Sequence, residues 1–308
     1  MNLAPIALFV YNRPEHTFKT LKALEVSELA RFSDLYIFCD GPKDVADEKS
    51  TELLKKVQAI CKKSYQFKSI NIKINETNLG LSKSIITGVE SVLEKHDRLI
   101  VLEDDIVVSN GFLKYMNDAL NLYENESKVG CIHGWNYPLN TKNIQQETFF
   151  LFGADCWGWA TWKRAWNKFE KNGTLLLNKI VESNQQFEFN RRDTIDFVQM
   201  LQDQINGKND SWAIRWHASL FIEKMFCLHP VRTLVTNIGL DSSGSNFGSS
   251  SINQKMIDYI DVNPIEIIDS EWFHDEFKDK SSNHFFKQSF YAKYKRRVKE
   301  FIYKLIYK

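Results

Sequence analysis

The first 125 residues alternate strand-like segments with segments in which apolar residues recur every three or four positions. The strand-like segments cover residues 6–10, 35–39, 70–74 and 99–103. Two of the segments between them, residues 53–61 and 85–93, have the spacing of amphipathic helices. Strands that alternate with helices predict an α/β fold with a mostly parallel central sheet flanked by helices.

Polar residues follow each of the four predicted strands. They are Arg13, Asp40, Asn78 and the run Glu103-Asp104-Asp105. In a parallel sheet these positions share the carboxyl edge, which is where ligands bind. Lys83 lies near the start of the helix after the third strand, where it could either help to hold a phosphate or remain solvated.

The acidic run is the most informative of these strand ends. Three adjacent carboxylates repel one another and need a positive partner. Oxygen ligands on a short turn suit Mn²⁺ or Mg²⁺. Side chains alternate along a strand, so Asp105 and Glu103 could face one side and Asp104 the other. A solvated acidic turn is the alternative, and the position after a hydrophobic strand in a βαβ series favours the metal.

The pattern changes after about residue 125, where aromatic residues become frequent. Trp157, Trp159, Trp162 and Trp166 fall within ten residues. The spacing of "WATWKRAW" predicts a helix with three buried indoles, while Trp157 and Trp159, beside Gly158, could form an apolar platform for a sugar ring. Further on, residues 183–204 read as a polar helix, residues 226–235 as a strand, and residues 240–251 as a small-residue loop.

Composition and charge narrow the function classes. The net charge of +1 gives no global reason to expect nucleic acid. Residues 287–308 carry eight basic residues and one acidic residue, with apolar residues at helical spacing. This pattern predicts a basic amphipathic helix that rests on a membrane surface or, alternatively, on the acidic body of the protein. Five cysteines without a CxxC pair, and no apparent signal peptide, indicate a cytoplasmic protein at the inner face of the membrane.

Several segments together resemble a known family. They are "IALFVYNRP", "IFCDGP", "NLGLSKSI", "RLIVLEDDIVVSNGFLKYMNDAL" and "CWGWATWKRAW". Over roughly residues 4–250 the chain resembles nucleotide-sugar-dependent glycosyltransferases of the GT-A fold, and is similar to the inverting N-acetylglucosaminyltransferase I type and related bacterial sugar transferases. The resemblance implies a nucleotide-sugar half at 1–125, an acceptor-side half of the same domain at 126–270, and a C-terminal extension at 271–308.

The resemblance also implies roles for individual residues. Arg13 and Asp40 fall where the family contacts the nucleotide, with Asp40 at the base. The acidic run matches the family's DxD-type motif, in which Asp105 would bind the metal, and Glu103 and Asp104 the ribose and sugar.

The catalytic base is implied by the segment "NDSWAIRW". There Asp210 matches the family's base, with Asp155 in "GADCWGW" in reserve, although Asp210 could equally be a helix cap. The chain departs from the family at Ser245-Asn246-Phe247, where the family has Ser-His-Gly, so the donor's identity is not carried over.

The sequence therefore predicts metal-dependent transfer of a sugar from a nucleoside-diphosphate sugar to a glycan or lipid-linked acceptor, with inversion. A nucleotidyltransferase acting on a sugar phosphate would use similar carboxylates, but the chain has no GxxxxGK[ST] phosphate loop. A receiver domain also carries paired acids after a strand, but after its first strand rather than its fourth. A non-catalytic sugar-binding protein is the remaining alternative.

Overall fold

The structure is a computed structural model that describes residues 3–44, 47–240 and 255–280. Its strands are, in chain order, β1 (Ile6–Val10), β2 (Asp34–Cys39), β3 (Ser69–Ile74), β4 (Arg98–Glu103), β5 (Ile106–Val108), β6 (Val129–His133), β7 (Thr148–Phe152), β8 (Trp159–Trp162), β9 (Phe226–Pro230) and β10 (Val235–Asn237). The first four strands confirm the strands that the sequence predicts in its first 125 residues.

The helices cover both faces of the sheet. They are α1 (Pro14–Val26), α2 (Glu48–Cys61), α3 (Leu81–Leu93), α4 (Phe112–Leu122), α5 (Lys163–Trp166), α6 (Gly173–Glu182), α7 (Gln186–Phe189), α8 (Phe197–Ile205), α9 (Trp212–Ile222) and α10 (Glu271–Lys280). Local sequence sets several starting points. Pro14 opens α1, where its fixed φ suits a first helical residue, and the Asp47 side chain caps α2 by accepting a hydrogen bond from Ser50 N.

Eight of the described strands form one sheet in the order β3-β2-β1-β4-β8-β6-β9-β7, and β5 pairs with β10 separately. Strands β1 to β4 are mutually parallel, as are β6 and β9, so the mostly parallel sheet is confirmed. The chain winds outward from β1 through β2 to β3, then returns to place β4 on the other side of β1. The reversal leaves a crevice at the carboxyl ends of β1 and β4, where ligands collect in sheets of this kind.

The aromatic segment after residue 155 differs from its prediction. Residues Trp159 to Trp162 form β8, antiparallel to both β4 and β6, and only the short α5 follows. The predicted helix is therefore wrong for Trp159 to Trp162, whereas Lys163 to Trp166 are helical and all three indoles are buried as predicted. Side chains on a strand alternate between faces, so Trp159 joins the core on one side of the sheet and Trp162 the core on the other. Indoles three residues apart are compatible with a helix and also with a strand that has a core on both faces. The position of this segment inside the sheet decides in favour of the strand.

Two other segments are interrupted. The predicted helix over 183–204 breaks into α7 and α8 because Arg191, Arg192 and Asp193 adopt left-handed backbone conformations, with φ of 48°, 54° and 62°. The predicted strand over 226–235 divides into β9 and the start of β10, which belong to different sheets. Of the predicted loop over 240–251, only Leu240 lies within the described residues.

The hydrophobic core has one layer on each face of the sheet. Apolar side chains of α1, α2 and α4 fill one layer. Helices α3 and α9, with the indoles around Trp159, fill the other, and α6, α8 and α9 enclose a smaller cluster. Phe273 and Phe277 of α10 join the first layer. The predicted halves 1–125 and 126–270 thus contribute strands to the same sheet.

In the parts of the chain that the structure describes, no helix is long and apolar enough to cross a membrane. The basic amphipathic helix predicted at 287–308 lies outside the described residues.

Gly88 in α3 offers a test of how tightly this helix packs on β1. An added Cβ would collide with the ring of Phe9, which stacks on Phe38 at a centroid distance of 4.9 Å. We expect Gly88→Ala to lower the free energy of unfolding by about 1–3 kcal/mol, although alanine is the better helix former by up to about 1 kcal/mol. Urea denaturation measures the change.

The control is the same substitution in a Phe9→Leu background, where the smaller side chain makes room. The cost of Gly88→Ala is expected to fall there, which makes the two changes non-additive. A Gly88→Ala protein as stable as the wild type would contradict the packing described.

Candidate active site

The carboxyl ends of β1 and β4 bring Arg13 to the acidic run. These strands pair in parallel register, with Phe9 opposite Glu103. Arg13 Nη2 donates a hydrogen bond to Asp104 Oδ1, and Arg13 Nη1 lies 3.0 Å from Asp105 Oδ2. Two strand ends that are ninety residues apart in the chain thus form one charged site at the predicted edge.

Backbone contacts fix the turn that carries the two aspartates. Thr20 Oγ1 in α1 donates to the backbone oxygen of Asp104 at 2.8 Å, and Ile238 N donates to the backbone oxygen of Asp105 at 2.9 Å. Gly239 comes next, and an added Cβ there would collide with the Asp105 carboxylate. The turn is therefore held between α1 and the segment that follows β10, and this close approach requires glycine.

Burial and mutual repulsion perturb the acidic run. Burial, with the charges of Asp105 and Asp104, raises the pKa of Glu103 to about 8. Burial also raises the pKa of Asp104 to about 6, although Arg13 opposes the shift. Burial alone would lower the pKa of Arg13, but Asp104 and Asp105 outweigh it and hold the guanidinium in its charged form. The acidic run thus carries more negative charge than Arg13 alone can compensate.

The donor set of this site fits a hard divalent cation. Its available ligand atoms are carboxylate oxygens, and the surplus negative charge favours a cation. Asp105 is the residue best placed to hold it, since its side chain is 13% exposed whereas that of Asp104 is 4% exposed.

Asp40 organises the neighbouring loop. Its buried carboxylate accepts hydrogen bonds from five donors at 2.9–3.3 Å: Gly41 N, Asn75 Nδ2, Asn78 Nδ2, Leu79 N and Gly80 N. Gly41 packs so closely on the backbone of Thr77 that a Cβ would collide with it. Asp40 thus fixes the strand end and the loop that leads into α3. Its predicted contact with the nucleotide base stays a prediction.

The start of α3 connects this loop to Asp210. Arg215 Nη2 of α9 donates to Ser82 Oγ at 2.5 Å and lies 3.6 Å from Asp210 Oδ1. The Asp210 side chain is 72% exposed and comes just before the residue that caps α9, Ser211. Lys83 is exposed in the first turn of α3. The roles of Asp210 as base and of Lys83 as donor contact stay predictions.

Trp159 cannot form the predicted platform. Its side chain is 1% exposed and stacks against Trp212 at a centroid distance of 5.2 Å, with Trp166 and Trp216 beside it. Its position on β8 turns the indole into the core, so the assignment of Trp159 to donor binding is corrected. Trp157 is half-buried and packs against Trp135 at 4.6 Å.

A second polar cluster surrounds Asp155. Asp155 Oδ2 lies 2.9 Å from Arg191 Nη2 and 3.8 Å from His229 Nε2. His133 Nδ1 lies 3.3 Å from His229 Nδ1, while Trp157 N donates to His133 Nε2 at 3.0 Å. The last bond assigns the His133 ring proton to Nδ1, which then donates to His229. The result is a hydrogen-bonded pair of rings directed at Asp155.

The charges of this cluster follow from its enclosure. Burial lowers the pKa of His133 to about 4 and that of His229 well below its usual range, so both rings are neutral near pH 7. Burial alone would raise the pKa of Asp155, but Arg191 and the neighbouring histidines together outweigh burial and lower it. Ligand atoms of His133, Asp155 and His229 lie within 4.8 Å of one another, so this group could also hold a metal ion.

The sequence pattern did not single out these histidines. His133, Asp155, Arg191 and His229 lie on four separate segments, with no HxxH pair to mark them. The signal that could have identified these histidines is their position at or near strand ends, since His133 ends β6 and His229 lies in the neighbouring β9.

The loop of Asp155 borders the acidic run. Burial raises the pKa of the half-buried Cys156 thiol, and the charges of Glu103, Asp155 and Asp105 raise it further. Cys156 is therefore within electrostatic reach of both charged clusters.

Comparison with known proteins supports the class of the site. The GNT-I family model matches residues 33–173, somewhat under half of the chain, and the match includes Asp40, the acidic run and Asp155. This match confirms the resemblance to GT-A-type sugar transferases and supports sugar transfer in general. It leaves out Arg13 and Asp210.

Among solved structures, the chain is similar to the crystal structure of S. aureus TarS 1-349. The TM-score is 0.33 at 12% identity, over 51% of this chain and 47% of that chain. The chain thus spans about half the length of that structure.

Asp40→Asn tests the role of Asp40 as loop organiser. The amide would present a donor to five donors and lose the charge that attracts them, so we expect the free energy of unfolding to fall by about 1–3 kcal/mol. Urea denaturation measures it. Asp47→Asn is the matched control, since Asp47 caps α2 at an exposed position where asparagine is an equivalent cap. An equal effect in both variants would contradict a special role for Asp40.

Proposed function

We propose that the protein transfers a sugar from a nucleoside-diphosphate sugar to a hydroxyl group of a glycan or lipid-linked acceptor, with inversion and with bound Mn²⁺ or Mg²⁺. The observation that carries the proposal is the meeting of Arg13 with Asp104 and Asp105 at the crevice between β1 and β4. A switch-point crevice with one arginine and several carboxylates suits a ligand that brings phosphates and a divalent cation together.

The donor would lie along the carboxyl edge of β1 to β4. Arg13 lies beside the acidic run, so its guanidinium would pair with the diphosphate of a donor bound there. Glu103 and Asp104 would accept hydrogen bonds from the ribose and sugar hydroxyl groups. Asp40 would shape the base pocket through the loop it organises, and Lys83 would add positive charge at the start of α3.

Asp105 would hold the metal ion, with Glu103 on the same run. When bound, such an ion supplies Lewis-acid stabilisation of the charge that develops on the leaving diphosphate.

A carboxylate acting as general base would take the proton of the acceptor hydroxyl as its oxygen attacks the anomeric carbon and the nucleoside diphosphate leaves. One displacement at that carbon inverts its configuration. We propose Asp210 for this role, on its match to the family's base, with Asp155 as the alternative. Asp155 is supported by its ion pair with Arg191, which favours the ionised carboxylate. Asp210 is supported by its exposure to an incoming acceptor.

The proposed acceptor and location follow from the charge of the C-terminal segment. The eight basic residues in 287–308 suit a membrane surface with anionic lipids and, with it, a lipid-linked acceptor at the inner face.

Thermal unfolding of the protein with nucleotide sugars tests the donor site. UDP-, GDP- and dTDP-sugars are each added with and without Mn²⁺, and a CMP-sugar provides a monophosphate comparison. A ligand that binds the native state raises Tm by mass action, so we expect one diphosphate donor to raise Tm only with Mn²⁺. The shift should vanish in Asp105→Asn.

Asp118→Asn is the matched control, since Asp118 is an exposed carboxylate that pairs with Lys114 on α4. A donor shift that survives in Asp105→Asn would contradict the metal site. No shift with any donor would favour a different class of function. Nucleoside triphosphates are added in the same assay, and a shift with these alone would favour nucleotidyl transfer.

Asp210→Asn and Asp155→Asn separate the two candidate bases once a donor is known. Removal of the base is expected to lower kcat by about 10²–10⁴-fold while the donor still raises Tm, because donor binding does not need the base. The variant at the other position should retain kcat within about tenfold. Loss of the donor's Tm shift together with kcat would indicate a structural role for the residue tested.

A further inference from the structure

Arg13 bridges two carboxylates that differ in exposure. Nη2 donates to Asp104, whose side chain is 4% exposed, and Nη1 lies 3.0 Å from Oδ2 of Asp105, whose side chain is 13% exposed. The Arg13 side chain is 20% exposed, and Arg13 directly precedes α1. The guanidinium thus has one enclosed partner and one that faces the crevice.

The surrounding backbone leaves little space beside this bridge. At Gly239 an added Cβ would collide with the Asp105 carboxylate and would lie 2.9 Å from Arg13 Nη1. Ile238, its neighbour, is tied to the backbone of Asp105 at 2.9 Å. The segment after β10 therefore closes over the contact between Arg13 and Asp105 from one side.

A divalent cation and Arg13 would have to share Asp105. Mn²⁺ and Mg²⁺ bind carboxylate oxygen at roughly 2.0–2.2 Å, and Oδ2 of Asp105 already has Nη1 of Arg13 at 3.0 Å. Two cations that close repel each other strongly in a partly desolvated site. The bridge in its present form therefore opposes metal binding at that oxygen.

We propose that Arg13 is the internal cation of the acidic run, that it competes with the metal for Asp105, and that it moves to the diphosphate when the donor binds. This inference rests on the proposed function, because it takes Asp105 as the metal ligand. Arg13 keeps its bond to Asp104 throughout, so that aspartate stays compensated while Asp105 is released.

The competition couples donor and metal. A nucleoside diphosphate that draws Nη1 away from Asp105 frees the oxygen for the ion, and an ion at Asp105 frees Nη1 for the phosphate. Each ligand then raises the affinity for the other beyond their direct contact. Removal of the guanidinium charge should raise the affinity for the metal alone and reduce this coupling.

Direct titration of the full chain with Mn²⁺, followed by electron paramagnetic resonance of the free ion, tests the inference without any turnover. We expect Arg13→Met to bind Mn²⁺ alone about fivefold more tightly than the wild type. Arg13→Lys should also bind more tightly than the wild type, since one ammonium group can stay with Asp104 but cannot bridge both carboxylates. Arg13→Lys takes the place of Arg13→Met in this titration if Arg13→Met fails to fold. Arg232→Met, at an exposed pair with Glu147, is the control.

UDP is then added as the probe for coupling. In the wild type UDP should tighten Mn²⁺ binding, and in Arg13→Met by a smaller factor. Unchanged or weaker Mn²⁺ binding in both Arg13 variants, with binding lost in Asp105→Asn, overturns the competition and leaves the proposed metal site standing. Absence of Mn²⁺ binding in every variant, or binding retained in Asp105→Asn, overturns the proposed metal site and the competition with it.

Discussion

The contact of Arg13 with Asp104 and Asp105 is the interaction on which the arrangement of the site depends. Consecutive carboxylates at the end of a buried strand repel one another, and an unpaired buried charge costs several kcal/mol. Strand β4 can end this way only because the chain reverses its winding and places β1, with Arg13 after it, next to β4. A hydrogen bond from Thr20 Oγ1 to the backbone oxygen of Asp104 also ties α1 to this turn. The strand order of the sheet is therefore what gives the acidic run its compensating charge.

The pair formed by Arg191 and Asp155 shows what an arginine looks like when it is locked in place. Arg191 is buried among the rings of Tyr137, Phe197 and Phe273, at 5.7–5.8 Å from their centroids. Its backbone is left-handed, as are those of the next two residues, a conformation that persists only where surrounding contacts determine it. Arg13, by contrast, is partly exposed at the mouth of the crevice. Its position is compatible with exchange of partners, whereas that of Arg191 is compatible with positioning Asp155.

Sequence patterns predicted the first half of the fold well because its strands and helices have distinct periods. Topology also predicted that Arg13 and the acidic run share one edge of the sheet, but not that they would be in contact. The second half was harder for physical reasons. Indoles at 159 and 162 suit a helix or a strand, and only a place between β4 and β6 decides. The break at 191–193 depends on tertiary contacts, and the cluster around Asp155 joins segments that no local spacing connects.

Two donor sets could in principle hold a metal, and their chemistry separates them. The acidic run offers oxygen atoms alone, which suits Mn²⁺ or Mg²⁺, whereas His133 and His229 with Asp155 would suit a softer ion. Most of the histidine set already has partners, since the Trp157 amide occupies Nε2 of His133 and Arg191 compensates Asp155, while Nε2 of His229 has no hydrogen-bond partner among the described residues. An ion there would have to displace one ring's hydrogen bond and lie near a buried guanidinium. The acidic run has the opposite balance, because its carboxylates outnumber its one arginine, and this supports the proposal that Asp105 holds the metal.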